Sequence, residues 1–153
     1  MALHILITAP HLDPSAVRLL EEVGATFDFV SLEGGRAEMQ AKLCAEPFDG
    51  VISRFLPIPA EAMAACPTLR VISRAAVGFD SIDVAAATAQ GIAVLRAVGA
   101  NAQSVAEHAI GLMLAVARNI ARHNTAIQAG GWERPRLGLE MRGRRLGLVG
   151  YGE

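Results

Sequence analysis

The chain has 153 residues, of which 52% are hydrophobic, and its formal net charge is -1. This length suits one ordinary domain, and this composition suits a globular protein with a sizeable core. The scattered charges argue against a nucleic-acid-binding surface, because such surfaces concentrate Lys and Arg. The uncharged run from Ala109 to Ala117 is shorter than the roughly 20 residues that a membrane span requires. We therefore expect neither a nucleic-acid nor a membrane partner.

The two cysteines, Cys44 and Cys66, are too few for a disulfide framework. We interpret both as reduced, buried thiols of a cytoplasmic protein. The apolar run from Leu3 to Ala9 has no basic region before it, so we predict a first strand rather than a signal peptide.

Short apolar strands alternate with helices from Leu3 to Leu95. Asp13 and Asp83 have the side chains that cap helix N-termini, and Gly24 and Gly91 are typical residues after a helix end. We predict helices after Asp13 and at 36–45, 59–65 and 84–89, and strands at 3–9, 26–30, 49–54, 69–73 and 92–95. This alternation predicts a parallel α/β sheet with helices on both faces.

A long apolar helix dominates the second part of the chain. Ser104 and Glu107 match a capping box, and Asn101 is an alternative cap one turn earlier. From Ala109 to Ala117 every face is apolar, which indicates a helix buried all round. The first sheet is too small to bury it, so we infer a second domain or a second subunit. A weaker helix is expected to follow as far as Gln128.

The apolar residues 145–149 predict another strand, and it runs into Gly150-Tyr151-Gly152. A strand that leads into Gly-x-Gly is how a dinucleotide-binding fold begins, because the glycines let the backbone approach a pyrophosphate at a helix N-terminus. The sequence reaches only the second glycine. The residues that would distinguish NAD binding from NADP binding are therefore not part of this sequence.

Residues 74–80, Arg-Ala-Ala-Val-Gly-Phe-Asp, follow the fourth predicted strand. A turn at the carboxyl edge of a strand points backbone N–H groups into the cleft where open α/β sheets bind ligands. Arg74 adds charge-assisted donors for an anion; the alternative is a surface pair with Asp80 or Asp83. Arg54, after the third strand, is expected at the same edge.

Five stretches resemble, in order, the D-2-hydroxyacid dehydrogenase family, which includes phosphoglycerate, glycerate, D-lactate and formate dehydrogenases. They are residues 74–83, 91–94, 99–108, 129–132 and 143–152. The resemblance covers the whole chain and implies a longer protein in which a cofactor domain is inserted into the substrate domain. Residues 1–98 would form the N-terminal part of a flavodoxin-like substrate domain. Residues 99–153 would form the crossover helix and first strand of an incomplete, NAD(P)-binding Rossmann domain.

The resemblance implies an oxidoreductase that transfers a hydride between NAD or NADP and a D-2-hydroxy or 2-oxo acid. Val77 and Gly78 match the backbone that holds the substrate carboxylate, and Val77 also borders the nicotinamide. Arg54 matches a position where phosphoglycerate-type members place an arginine for the substrate anion, and Arg74 is predicted to lie near the same anion. Asn101 matches the asparagine that orients substrate in formate-type members, and its structural alternative is a helix N-cap.

Gly150, Tyr151 and Gly152 match the cofactor turn, whereas no catalytic residue is assigned to this chain. The family's catalytic arginine, glutamate and histidine lie beyond the cofactor fingerprint, so we expect this chain alone to be inactive. His108 belongs to a helical Ala-Glu-His signature with a structural role. Ala76 lies where the family usually has a glycine, and this difference restricts the backbone conformations available to the loop.

Two further hypotheses on function are compatible with the sequence. The same fold serves in transcriptional corepressors as an NAD-sensing interaction module, and the chain is alternatively a fragment without activity. The dehydrogenase form of Gly99-Ala-Asn101 and Ala106-Glu-His108 favours the enzyme. Family members dimerise through the helix at 102–122, so a homodimer that binds a small 2-hydroxy or 2-oxo acid is expected. Trp132 is expected to pack rather than to take part in chemistry.

Overall fold

The computed structural model describes residues 2–132 and 137–152. The chain divides into two compact units, Met1–Val98 and Gly99–Glu153. Within the described ranges, no helix combines the length and apolar character needed to cross a membrane.

The first unit is a five-stranded, fully parallel sheet in the order β2-β1-β3-β4-β5. This is the flavodoxin-like order of doubly wound α/β folds, which confirms the predicted fold class. Every element predicted for this unit is present, with ends shifted by a few residues at most. The strands are β1 His4–Ile7, β2 Thr26–Phe29, β3 Gly50–Ser53, β4 Val71–Arg74 and β5 Ala93–Arg96; the helices are α1 Pro14–Glu22, α2 Gly35–Ala45, α3 Ala60–Ala64 and α4 Val84–Ala89.

Local signals in the sequence set several of these boundaries. The side chain of Asp13 accepts a hydrogen bond from the backbone N–H of Ser15 at 2.9 Å, and Asp83 accepts one from Ala86 at 2.9 Å. Each bond satisfies an N–H that has no partner inside the first helical turn. Gly24 follows α1 with a φ of +68°, a conformation that residues with a Cβ rarely adopt. These ends were therefore predictable without the tertiary structure.

The core lies on one face of the sheet. Leu6, Val51 and Ile72 are in register on neighbouring strands and are buried. They pack in one cluster with buried residues of the three helices α2, α3 and α4, which are Met39, Leu43, Ala62, Met63 and Ala87. Full burial of such a side chain stabilises the fold by about 1.5–3 kcal/mol. This cluster holds the carboxyl ends of the strands in fixed positions.

The second unit contains two helices, α5 Ala102–Ala117 and α6 Ile120–Gln128. The predicted capping box is wrong. Ser104 lies inside the first turn, and Glu107 accepts a hydrogen bond from the side chain of Gln103 at 2.7 Å instead of reaching back to a backbone N–H. The helix begins earlier, with Asn101 in the N-cap position, so this side-chain pair one turn apart replaces the box.

The predicted strand at 145–149 is also wrong, because these residues belong to no strand of the described structure. Leu146, Leu148 and Val149 are exposed. A strand exists only when its backbone pairs with a neighbour. The described residues of the second unit offer no such neighbour, so the apolar pattern produces no sheet.

Two predictions of burial are wrong, those for Cys44 and Trp132, while burial of α5 against a second domain or subunit stays a prediction. No residue of α5 is buried, and Ile110, Leu112, Leu114 and Val116 are all exposed. Cys66 is buried as predicted, whereas Cys44 is exposed. Trp132, expected to pack, is 73% exposed. An apolar sequence indicates that a segment favours burial, but burial also requires a second surface that packs against the segment.

Candidate functional site

Three neighbouring strands of the first unit end at one edge of the sheet, and each end carries an arginine. Ser53 of β3 lies opposite Arg74 of β4, and Arg74 lies opposite Arg96 of β5. Arg54 directly follows Ser53. The carboxyl edge of an open parallel sheet is where such folds bind ligands. The loop after β4, residues 75–83, runs along this edge and is called the β4–α4 loop below.

Two backbone amides of the β4–α4 loop belong to peptides whose carbonyls accept hydrogen bonds from Arg96 and Ala97. The carbonyl of Ala76 accepts a hydrogen bond from the N–H of Ala97 at 3.2 Å, and the carbonyl of Val77 accepts one from Nη1 of Arg96 at 3.4 Å. In a trans peptide, the N–H points opposite to the C=O. The N–H of Val77 therefore points away from the Ala97 N–H, and the N–H of Gly78 points away from Nη1 of Arg96.

Neither of these two amides donates to a protein acceptor within the part of the chain that the structure describes. Val77 is half-buried and Gly78 is exposed. Successive backbone N–H groups in a turn can bind an anion. The binding of a carboxylate by Val77 and Gly78 stays a prediction.

Arg74 fastens the β4–α4 loop to β3. Its Nε donates to the carbonyl of Gly78 at 3.1 Å, and its Nη1 donates to the carbonyls of Ser53, at 3.3 Å, and Arg54. The alternative expectation, a surface pair with Asp80 or Asp83, is wrong for this structure, since no such ion pair occurs among the described residues. Arg74 thus orders the loop and keeps its positive charge beside it.

Arg54 lies where β1 and β3 meet, which is the point where the strand order reverses. Its backbone N–H donates to Oγ1 of Thr8 at 2.9 Å. Its guanidinium lies 5.0 Å from the centroid of the Phe55 ring, within cation–π range. No carboxylate pairs with it in the described ranges. Its charge is therefore free to act on a ligand.

Asp80 moderates the positive field of this edge. A Cβ built on Gly78 would lie 3.7 Å from Oδ2 of Asp80, so one carboxylate lies close to the loop backbone. Asp83 is occupied in capping α4. The edge thus combines three guanidinium groups, one nearby carboxylate and two open amides. This set suits a small anion that offers a carboxylate to the amides.

The remaining predicted site residues belong to the second unit. The Asn101 side chain is exposed and makes no capping hydrogen bond. The structural alternative, in which Asn101 serves only as a helix N-cap, therefore lacks the hydrogen bond that it predicts. Gly150 has a φ of +79°, and Tyr151 is 88% exposed. The described turn alone does not make a pyrophosphate site, because that site needs a helix N-terminus.

Sequence reasoning missed three residues at the edge, which are Thr8, Ser53 and Arg96. Thr8 and Ser53 are buried polar residues near the ends of β1 and β3, and Oγ of Ser53 has no hydrogen-bond partner. Arg96 contacts the β4–α4 loop. A polar residue that ends an apolar strand was the available signal for all three.

Comparisons with known proteins agree with this architecture. Residues 5–140 match the family described as D-isomer specific 2-hydroxyacid dehydrogenase, catalytic domain. A D-3-phosphoglycerate dehydrogenase of Methanocaldococcus jannaschii is 39% identical over 150 residues, which are 97% of this chain and 28% of that protein.

Two solved structures are similar along nearly the whole chain. A Thermus thermophilus protein gives a TM-score of 0.83 at 30% identity, covering 92% of this chain and 46% of that one. An NADPH-dependent glyoxylate/hydroxypyruvate reductase from Sinorhizobium meliloti, in complex with NADP and malonate, gives 0.74 at 27% identity, covering 99% and 47%. The chain thus spans less than half the length of each of these relatives. On the family match and this similarity, the chain belongs to the D-isomer specific 2-hydroxyacid dehydrogenase family.

Proposed function

We propose that this chain forms the acid-binding part of an NAD- or NADP-dependent oxidoreductase that interconverts a D-2-hydroxy acid and the matching 2-oxo acid. The observation that carries the proposal is the pair of open amides at Val77 and Gly78, at the carboxyl edge of the sheet. A reaction at C2 of such an acid requires the carboxylate to be held so that C2 has a fixed position.

Different residues of the first unit would bind the carboxylate, order the loop and supply positive charge. The N–H groups of Val77 and Gly78 donate to the carboxylate, and each charge-assisted bond contributes about 1.5–3 kcal/mol in a protected site. Arg74 keeps the loop in place through the Gly78 carbonyl. Arg54 adds a positive charge without an acidic partner in the described structure. This arrangement binds and orients the acid, and it contains no group that we assign to proton transfer.

The second unit would contribute orientation and cofactor contacts. Asn101 has no capping bond, and we assign it to the orientation of the substrate. We assign Val77 to the border of the nicotinamide, and Gly150, Tyr151 and Gly152 to the approach of its pyrophosphate. The nicotinamide cofactor, when bound, supplies the hydride chemistry. We place the acid–base residues in a part of the protein outside this chain.

Two further assignments complete the proposal. The exposed apolar side chains of α5 support a homodimer formed through the helix at 102–122, because an apolar surface of this kind favours a partner. The two free cysteines support the reducing cytoplasm as the compartment.

Turnover by the complete gene product tests the proposal. We expect it to reduce glyoxylate, pyruvate or hydroxypyruvate with NADH or NADPH and to form the D-isomer where the product is chiral, whereas the 153-residue chain alone shows no turnover. Arg54→Gln should raise KM for the acid and leave KM for the nucleotide unchanged. Arg70→Gln is the matched control, since Arg70 is exposed and lies before β4, at the opposite edge of the sheet.

Absence of turnover with all three acids and both nucleotides would contradict the proposed reaction. Equal KM values for Arg54→Gln and Arg70→Gln would remove Arg54 from the site without affecting the assignment of the amides.

A further inference from the structure

Arg96 contacts the β4–α4 loop on both sides of Gly78. Its Nη1 donates to the carbonyl of Val77 at 3.4 Å, and its guanidinium carbon lies 5.4 Å from the centroid of the Phe79 ring. The stacked ring gives the guanidinium a second contact, which limits its rotation away from the carbonyl. Both contacts belong to one rigid planar group, so a single side chain restrains the residues before and after Gly78.

The two open amides are held in different ways. The N–H of Val77 shares a peptide plane with the carbonyl of Ala76, which a backbone bond from Ala97 fixes at 3.2 Å. The N–H of Gly78 shares a plane with the carbonyl of Val77, which only Arg96 holds among the described residues. Because N–H and C=O of a trans peptide are opposed, Arg96 determines where the Gly78 N–H points.

The neighbouring peptide shows why this restraint matters. Arg74 holds the carbonyl of Gly78 at 3.1 Å, which fixes the plane after Gly78 but not the plane before it. Gly78 is exposed, and an added Cβ would meet only an ordinary contact at 3.7 Å. Gly78 itself has no Cβ to restrict its backbone, so the hydrogen bond to the Val77 carbonyl is an important restraint on the Val77–Gly78 peptide.

We propose that Arg96 is a positioning residue that turns the Gly78 amide toward the carboxylate of the substrate. The proposal rests on the function proposed above for the ligand, while its geometric part concerns this chain alone. Arg96 does not touch the carboxylate in this arrangement; it acts through the Val77 carbonyl. Loss of this restraint should weaken binding of the acid by about two- to tenfold, which corresponds to the loss of one ordinary hydrogen bond.

The test uses the ¹⁵N-labelled 153-residue chain, with Arg96→Ala and Arg96→Lys as variants and Arg70→Ala as the control. The amide resonances and hydrogen-exchange rates of Val77 and Gly78 are measured first. We expect Arg96→Ala to change Gly78 strongly and Val77 little, because the Val77 plane keeps its backbone bond. Arg96→Lys should restore Gly78 in part, and Arg70→Ala should change neither amide.

The same samples are then titrated with oxalate, a small dicarboxylate probe, and the complete gene product carrying each variant is assayed. Arg96→Ala should raise KM for the acid while kcat and KM for the nucleotide change little. The proposal is overturned if Arg96→Ala leaves the Gly78 amide as Arg70→Ala does, or changes Val77 and Gly78 equally. A selective effect on Gly78 in a protein that shows no turnover would contradict the proposed function and leave the positioning role of Arg96 intact.

Discussion

The two units use apolar residues in opposite ways. In the first unit, strands and helices enclose a continuous buried cluster that includes Leu6, Phe48 and Ile72. In the second unit, none of the described residues is buried, although α5 is the longest helix and most of its residues are apolar. A sheet covered by helices offers each core residue neighbours on several sides, whereas two helices protect only the sides that face each other. The number of surfaces that meet, rather than hydrophobicity, decides where a core forms.

The largest effect should come from removing a core side chain of the first unit. Phe48 is fully buried and stacks on the His4 ring with centroids 4.2 Å apart. Phe48→Ala should lower the free energy of unfolding of this unit by about 3–5 kcal/mol, because it leaves a cavity. The measurement is hydrogen exchange at the protected amides of β1 and β3.

Ile110→Ala is the matched change in the second unit, where Ile110 is 55% exposed. In the monomeric chain, measured at low concentration, its effect should stay within about 0.5 kcal/mol, as is usual for surface positions. A loss of several kcal/mol for Ile110→Ala, read from the exchange of α5 amides, would show that the helix is part of a core and would remove the contrast.

The second expected effect is on association. Leu112 is 54% exposed on α5, and Leu112→Asp places a charge in the surface that we assign to a homodimer. Burial of an unpaired charge is costly, so self-association measured by sedimentation should weaken by at least about tenfold, the factor that corresponds to 1.4 kcal/mol. The helical circular dichroism signal should be unchanged.

Leu19→Asp provides the comparison on the first unit, because Leu19 is 63% exposed on α1. We expect it to leave association unchanged. If both variants weaken association alike, the contact is not specific to α5; if neither does, α5 is not the dimer surface.

The smallest effect concerns the two helix starts. Ser31 donates to Oε2 of Glu38 through its N–H at 2.9 Å and through its hydroxyl at 2.5 Å. These bonds, the hydroxyl first, hold the pKa of the Glu38 carboxyl below its ordinary value of 4.5. A lowered carboxyl pKa stabilises the fold above the ordinary value, and this stability is lost as pH falls through the lowered value.

The start of α2 should therefore loosen as pH falls from 5 through the region below 4.5, seen as shifts of the Ser31 and Gly34 amide resonances. Glu38→Gln should remove this pH dependence. The start of α5, where Asn101 makes no side-chain cap, serves as the internal reference and should not respond over the same range. A parallel response of Ala102 would indicate general acid unfolding instead.

Much of the fold follows from the sequence alone, because its signals act over a few residues. Asp13 and Asp83 cap the helices that follow them, and Gly24 takes the positive φ that ends α1. Alternating short strands and helices predict a parallel sheet. The arginines Arg54 and Arg74 and the loop at Val77 and Gly78 were predicted at one edge for the same reason.

Other features depended on partners that are distant in the chain, and only the tertiary structure decided them. Residues 145–149 have a strand pattern, but no described neighbour pairs with them. Arg74 had carboxylates nearby in sequence and instead bonds to carbonyls of β3 and its own loop. The direction of the Gly78 amide depends on Arg96, at the end of another strand. A sequence fixes which groups exist and where a helix begins, whereas the direction of a hydrogen bond requires both of its partners in place.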